Sequence, residues 1–194
     1  MNKNVPPAAL AALALPALLA LGPAAARAQQ PPAALFDQPL LITSVGQSPD
    51  VQLAVVLAKR AGLEHTLVKM ATDKDVAGAK TIALVLGASL KGLGAAGVDT
   101  AKEKARVKGL LAEAARRTIP VLGLHLGGDQ RRGELTDELV AEFLPAAKMA
   151  LIVKSANKDG LFSKVCRAAN IPLVEVEKTA DAAEVLRTVF RPKS

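Results

Sequence analysis

Short apolar runs alternate with helix-like segments along the chain from residue 40 onward. The runs have strand character and cover Leu40–Val45, Thr66–Met70, Thr81–Leu86, Val121–Leu126, Ala150–Lys154 and Leu173–Val176. Between them lie helix start signals: Ser48-Pro49-Asp50 offers a cap, a first-turn proline and an acid, and Thr100 with Glu103 has capping-box spacing. This alternation predicts an α/β fold, a three-layer αβα sandwich around a mostly parallel six-stranded sheet.

The polarity of the strands predicts their order in the sheet. Thr81–Leu86 and Leu40–Val45 are nearly all apolar, as in strands buried on both faces, whereas His65–Lys69 and Val174–Lys178 alternate with polar residues, as edge strands do. A flavodoxin-like order 2-1-3-4-5-6 places the alternating strands at the two edges. The dinucleotide-type Rossmann-like order 3-2-1-4-5-6 would expose the apolar third strand at an edge, so it ranks second.

Residues 1–28 have the pattern of a Sec-type signal peptide. Lys3 supplies a positive start, an uncharged stretch rich in Ala and Leu follows, and Ala26-Arg27-Ala28 is a small-x-small cleavage pattern. We therefore expect cleavage after Ala28, a periplasmic or extracellular protein, and no stable membrane span after cleavage. A retained anchor is the alternative, because the stretch approaches the roughly 20 residues that span a bilayer, although Pro16 and Pro23 interrupt it.

The rest of the chain is predicted to be a Pro- and Gln-rich leader over residues 29–38 and a single α/β domain over residues 39–191. Composition excludes several functions. The four aromatic residues are all Phe, which argues against base or sugar stacking, and one Cys cannot form an intramolecular disulfide. The net charge of +7 falls to +5 without residues 1–28 and is spread along the chain, so we expect no nucleic-acid partner.

Glycine, small polar residues and cations cluster in the loops after four predicted strands. In a doubly wound sheet these loops meet at the carboxyl rim, where ligands bind. Glycines admit a ligand close to the backbone, and cations can neutralise an anion. The candidate ligand-binding residues are Ser44, Gly46, Gln47, Ser48, Gly87, Ser89, Lys91, Gly92, His125, Gly127, Gly128, Arg131, Arg132, Lys154 and Asn157, with Lys158 nearby. The alternative is that the glycines serve turn geometry alone.

His125 is the best candidate for a catalytic residue, because it ends the fourth strand next to the glycines of this rim. It could act as a general acid or base, or it could simply bond a neighbouring loop. We predict no metal site, because the only other histidine, His65, belongs to an edge strand on the opposite rim. Cys166 is predicted to be buried packing. Gly92–Gly97 matches G-x-G-x-x-G, but it does not follow the first strand, so the sequence indicates no particular cofactor.

Four segments of the chain resemble a known family. These segments are LLITSVGQSPD, LGASLKGLGAAGVD, GLHLGGDQRRGELTD and VKSANKDGLFSKV. They resemble domain-of-unknown-function family 6305, a group of bacterial proteins that usually carry a signal peptide, over roughly Leu40 to Phe190. The resemblance implies a secreted α/β domain without an established activity, so it supplies no catalytic residues.

Three functions are compatible with the sequence. The first is a periplasmic binding module for a small anionic ligand, such as a carboxylate or phosphate, at the carboxyl rim. The second is a hydrolase or transferase that uses His125 as acid or base, with Ser44, Ser48 or Asp50 nearby. The third is an interaction module of an envelope assembly, which predicts a large exposed apolar patch and no pocket. The sequence does not indicate the ligand or the oligomeric state.

Overall fold

The computed structural model describes Met1 and residues 34–193. The predicted signal peptide and its cleavage site therefore lie outside the described residues, apart from Met1. Within the described part of the chain, no helix is long and apolar enough to cross a membrane.

Six parallel strands form one sheet in the order β2-β1-β3-β4-β5-β6. Their bounds are β1 Leu40–Val45, β2 His65–Leu67, β3 Thr81–Leu86, β4 Val121–His125, β5 Met149–Val153 and β6 Leu173–Val176. The flavodoxin-like order predicted from strand polarity is confirmed. β1, β3, β4 and β5 are buried throughout, whereas β2 and β6 include exposed residues and form the edges.

Six α-helices within residues 34–193 connect and cover the strands. They are α1 Val51–Arg60, α2 Leu90–Ala95, α3 Thr100–Arg116, α4 Glu134–Phe143, α5 Leu161–Ala168 and α6 Ala182–Val189. Helices α1 and α6 pack on one face of the sheet, and α3, α4 and α5 pack on the other. Short α2 belongs to the carboxyl rim, where its buried Leu93 anchors it.

Successive side chains of β1 point alternately into two apolar layers, one on each face of the sheet. Leu40 and Ile42 face the layer under α1 and α6, and Leu41 and Val45 face the layer under α3, α4 and α5. Because successive strand residues point to opposite faces, Ser44 follows Ile42 onto the α1 side. A hydroxyl therefore lies at the carboxyl end of this buried strand, on the same face as the start of α1.

Two local predictions need correction. The structure caps α3 with Asp99, whose carboxylate accepts a hydrogen bond from the Lys102 N–H, so Thr100 and Glu103 do not form a capping box. The segment 34–38 also packs onto the domain: Phe36 is buried and its ring lies 5.4 Å from that of Phe190. Part of the predicted leader thus contributes an apolar side chain to the core.

Candidate functional site

A cavity of about 520 Å³ opens at the carboxyl end of β1. We call it the β1 cavity. Its polar lining comprises Ser44, Gln47, Ser48, Ser89, Lys69 and Lys91. Its apolar lining comprises Pro49, Val51, Met70, Ala95 and Ala96, and Gly92 completes it. Six of the candidate binding residues line this one cavity: Ser44, Gln47, Ser48, Ser89, Lys91 and Gly92.

Ser44 lines this cavity as the last but one residue of β1. The residue is 1% exposed, and its Oγ has no hydrogen-bond partner among the described residues. A buried hydroxyl without a partner costs free energy, on the order of 1–3 kcal/mol. A polar ligand atom that accepted or donated a hydrogen bond here would recover that cost.

Two exposed lysines line the β1 cavity, Lys69 just after β2 and Lys91 in the first turn of α2. No carboxylate of residues 34–193 lies within salt-bridge distance of either ammonium group. The sequence analysis missed Lys69. The predicted strand order placed β2 directly beside β1, so this order was the signal that could have found it.

A buried ion pair lies under the loop between β1 and α1. Glu103 and Arg106 of α3 are joined at 2.8 Å, and their side chains are 1% and 8% exposed. The Glu103 carboxylate also accepts hydrogen bonds from the Gly46 N–H and the Gln47 side-chain amide, at 2.9 and 3.0 Å. Arg106 donates to the carbonyl of Ser44 at 2.6 Å. The pair therefore fixes the backbone that carries the polar lining of the cavity.

The ionisation of Glu103 follows from these contacts. Burial alone would raise the pKa of Glu103, but the hydrogen bonds from Arg106 and from the Gly46 N–H outweigh it and leave the pKa lowered. The carboxylate is therefore charged in the folded protein. The sequence analysis did not find Glu103 or Arg106 as site residues, because their partners lie in a loop more than 50 positions away in the chain.

Two candidate glycines allow loops of this rim to pack closely. Gly46 has a φ of +93°, and a Cβ there would come within 2.7 Å of the Gly87 carbonyl oxygen. A Cβ at Gly92 would collide with the Gln47 carbonyl oxygen. These glycines therefore join α2 to the loop between β1 and α1, which supports the alternative that glycine serves loop geometry in this part of the rim.

Several backbone N–H groups of these loops already have acceptors. Gly46 donates to Glu103, Ser89 donates to the Gly46 carbonyl, and Gly92 donates to the Ser89 hydroxyl. At the start of α1, the Asp50 N–H donates to the Ser48 hydroxyl at 3.1 Å. The glycine-rich loops are thus closed by internal hydrogen bonds.

His125 is buried and lies away from the residues that line the β1 cavity. It is 0% exposed, with Nδ1 2.9 Å from the Leu86 carbonyl oxygen and Nε2 3.0 Å from that of Gly128. Its ring packs on Phe162 at 5.1 Å. Burial lowers the pKa of His125 despite the two carbonyl contacts, so the ring is held neutral and can donate to only one of them. This arrangement corresponds to the structural role that the sequence left open.

The cations after β4 and β5 are paired with neighbouring acids. Arg131 binds the buried carboxylate of Asp50 at 3.0 Å, and Arg132 binds both Asp137 and Asp159, at 2.6 and 2.8 Å. Arg132 also donates to the Ala156 carbonyl and lies over the Phe162 ring. The remaining pairs here are Lys154 with Glu177 at 2.5 Å and Lys158 with Asp129 at 2.7 Å.

The other candidates on this side are occupied in a similar way. The Asn157 side-chain amide donates to Ser163 and Glu175, at 2.7 and 2.9 Å. A Cβ at Gly127 would collide with the Asp50 carboxylate, and one at Gly128 would come within 2.6 Å of the Ser155 hydroxyl. We call residues 125–133 and 154–159 the β4–β5 side. Its polar groups bind one another and residues of neighbouring elements.

The described residues contain neither a reactive cysteine nor a group of side chains that could hold a metal ion. Cys166 is buried, as predicted, and desolvation raises the pKa of its thiol to about 11, so it is not a reactive thiolate. Across residues 34–193, no three His, Cys, Asp or Glu side chains are grouped in a way that could hold a metal ion. His65 lies at the start of β2, where its Nδ1 contacts the Leu63 carbonyl at 2.8 Å.

The fold and the cavity define a doubly wound parallel α/β domain with a polar cavity at the carboxyl end of its first strand. The chain belongs to the family described as domain of unknown function DUF6305, whose sequence model matches residues 37–190. This match confirms the resemblance found in the four sequence segments. No curated protein matches the chain.

Two solved structures show a distant likeness. One is the crystal structure of AlinE4, an SGNH-hydrolase family esterase, with 14% identity, a TM-score of 0.31 and coverage of 77% of this chain and 78% of that one. The other is a serine-to-alanine mutant of esterase AlinE4, with 13% identity, a TM-score of 0.30 and coverage of 83% and 85%. At these scores the likeness carries no argument about activity.

Proposed function

We propose that this domain binds a small anionic ligand in the β1 cavity. The observation that carries the proposal is the buried Ser44 hydroxyl, which has no partner in the described structure and lines the cavity that Lys69 and Lys91 also line. A volume of about 520 Å³ falls in the range of small-molecule pockets. The ligand-binding residues we propose are Ser44, Gln47, Ser48, Ser89 and the two lysines.

The hydrolase or transferase alternative receives less support from the geometry. The Ser48 hydroxyl accepts a hydrogen bond from the Asp50 N–H, and both ring nitrogens of His125 contact backbone carbonyls. No serine hydroxyl in residues 34–193 is hydrogen-bonded to a histidine. General-base activation of a serine requires such a contact, directly or through one water.

The interaction-module alternative predicted a large apolar patch without a pocket. Within residues 34–193 the exposed large apolar side chains are Leu53, Val56 and Leu90. A cavity is present, and it combines polar and apolar residues. A small-molecule site therefore accounts for more of this surface than a protein interface does.

We further propose that the protein works in the periplasm or outside the cell. The support is the composition of residues 1–28, with Lys3, an uncharged apolar stretch and the Ala26-Arg27-Ala28 pattern. Expression of the full chain in a bacterium followed by fractionation and N-terminal sequencing tests this. We expect a mature chain that begins at Gln29 in the periplasm or medium, and a full-length chain in the cytosol would contradict it.

A thermal-shift screen of small carboxylates and inorganic phosphate tests the binding function. A ligand at 100 times its Kd stabilises the fold by about 2.7 kcal/mol, which raises Tm by several degrees in a domain of this size. The variant Ala95→Phe should abolish the shift by filling the cavity. Ala168→Phe, at an exposed position of α5, is the matched control and should retain the shift. Equal shifts in both variants would contradict binding in the β1 cavity.

A further inference from the structure

The groups that we propose to bind the ligand in the β1 cavity are side chains. A phosphate-binding loop presents several backbone N–H groups with no internal acceptor to its ligand. Here the Gly46 N–H donates to Glu103, the Ser89 N–H to a carbonyl and the Gly92 N–H to a hydroxyl. These three N–H groups are therefore not available to a phosphate cradle, and we take the lysines and hydroxyls as the ligand donors.

The two lysines reach the cavity from opposite sides of β1. Lys69 follows β2 and Lys91 follows β3, and these strands flank β1 in the sheet. Neighbouring strands lie about 4.8 Å apart, so β2 and β3 are separated by roughly 10 Å. The two ammonium groups are thus carried by separate elements on either side of Ser44, and the structure suits a ligand with an anionic group at each end.

Apolar residues form part of the cavity wall. Pro49 and Val51 come from the start of α1, Met70 follows Lys69, and Ala95 and Ala96 come from the end of α2. No aromatic ring lines the cavity among the described residues. Aliphatic contacts favour a methylene chain, because apolar surface on the ligand would be removed from water against them.

We propose that the β1 cavity binds a short aliphatic dicarboxylate. One carboxylate pairs with Lys69 and the other with Lys91, and the Ser44 hydroxyl donates a hydrogen bond to one of them. The methylene chain lies along the apolar wall. This inference rests on the proposed binding function and specifies its ligand class.

Isothermal titration calorimetry with matched probes tests the ligand class. Succinate, glutarate and adipate are compared with pentanoate and inorganic phosphate on the purified protein. We expect the best dicarboxylate to bind at least tenfold more tightly than pentanoate and phosphate, because only it engages both ammonium groups. A charge-assisted contact of this kind corresponds to a factor of roughly ten.

Single lysine variants sharpen the test. Lys69→Met and Lys91→Met should each weaken dicarboxylate binding about tenfold. Each should change pentanoate binding only about twofold, because a monocarboxylate can use either lysine. Lys164→Met is the matched control, because Lys164 is an exposed residue of α5 outside the cavity. It should change neither affinity. Ser44→Ala should weaken every carboxylate by a similar factor.

The outcomes separate the ligand class from the binding function. Equal affinities for pentanoate and the dicarboxylates, both lost in Ala95→Phe, would overturn the dicarboxylate assignment and leave the binding function standing. Phosphate as the tightest ligand would also overturn the assignment. An equal loss in Lys164→Met would show unspecific charge attraction and overturn it too. Binding of none of the probes would overturn both proposals.

Discussion

The β1 cavity and the β4–β5 side have similar sequences and different structures. Both consist of glycine-rich loops with cations at the carboxyl rim of one parallel sheet. On the β4–β5 side, Arg131, Arg132, Lys154 and Lys158 all pair with acids. In the β1 cavity, Lys69 and Lys91 have no such partner among the described residues, and neither does the Ser44 hydroxyl.

The difference shows that a cation near a glycine-rich loop is not by itself a binding group. Arg132 satisfies its guanidinium with two carboxylates, a carbonyl and an aromatic face, so an incoming anion would have to displace existing contacts. A ligand of the β1 cavity would instead supply the first partner of each polar group. The β4–β5 side therefore stabilises the fold, and the β1 cavity is where binding is expected.

The largest expected effect is on the buried ion pair beneath the β1 cavity. Glu103→Leu leaves Arg106 buried without its carboxylate and the Gly46 N–H without an acceptor, which should cost about 3–5 kcal/mol of unfolding free energy in urea denaturation. The control is Glu138→Leu, whose pair with Lys104 is half exposed and should cost under about 1 kcal/mol. Equal costs would show that the buried pair does not fix the loop.

The second effect tests the structural role of the β4–β5 side. Arg132→Met removes the contacts to Asp137 and Asp159, and the partly exposed network should be worth about 2 kcal/mol, between the values for surface and buried pairs. Arg167→Met, an exposed arginine on α5, is the matched control and should be nearly neutral. If Arg132→Met leaves stability unchanged but lowers ligand affinity, the two regions have been assigned the wrong way round.

The third effect is a pH dependence that arises from His125. Burial lowers the pKa of His125 in the folded protein, so below about pH 6.5 the unfolded chain binds a proton that the folded chain does not. Stability should therefore fall as the pH falls from about 6.5 towards the folded-state pKa.

Variants of the two histidines separate this term from the carboxylates. His125→Gln should remove the loss of unfolding free energy between about pH 6.5 and 5.5, as measured by urea denaturation. His65→Gln should keep this loss, because His65 lies at the start of β2 and is only partly buried. A full pH dependence in His125→Gln would show that the buried ring is not its source.

The smallest expected effect concerns the lysines of the β1 cavity. Lys69→Met and Lys91→Met should each change the unfolding free energy by less than about 0.5 kcal/mol, because each lysine is exposed and makes no ion pair within residues 34–193. Urea denaturation without ligand measures this directly. A loss above about 1 kcal/mol would reveal a structural role and remove the contrast between the two regions.

The sheet was predictable from the sequence because the polarity of the residues within a strand indicates whether that strand is central or at an edge. Thr81–Leu86 is apolar on both faces and Leu173–Val176 is not, and this contrast was enough for the strand order. Half of the cavity lining was predictable for a similar reason: Ser44 lies near the end of β1, Gln47 and Ser48 follow the strand, and loops after parallel strands meet at one rim.

The long-range partners of the charged groups were not predictable. Arg132 binds Asp159, which is 27 positions away, and Glu103 binds Gly46, which is 57 positions away. Spacing along the chain carries no signal for such contacts, because only the packed sheet brings the loops together. Counting the cations therefore overestimated how many of them lack an acidic partner. His125 was a candidate because the sequence does not show whether a residue at the end of a strand is buried.

A backbone NMR titration with glutarate compares the two regions in one experiment. The account predicts that amide shifts follow saturable binding and concentrate at residues 44–48, 69–70 and 89–92, which surround the β1 cavity. The amides of residues 125–133 and 154–159 should change little. Saturable shifts that concentrate at Gly128, Arg132 and Asn157 instead would contradict the account.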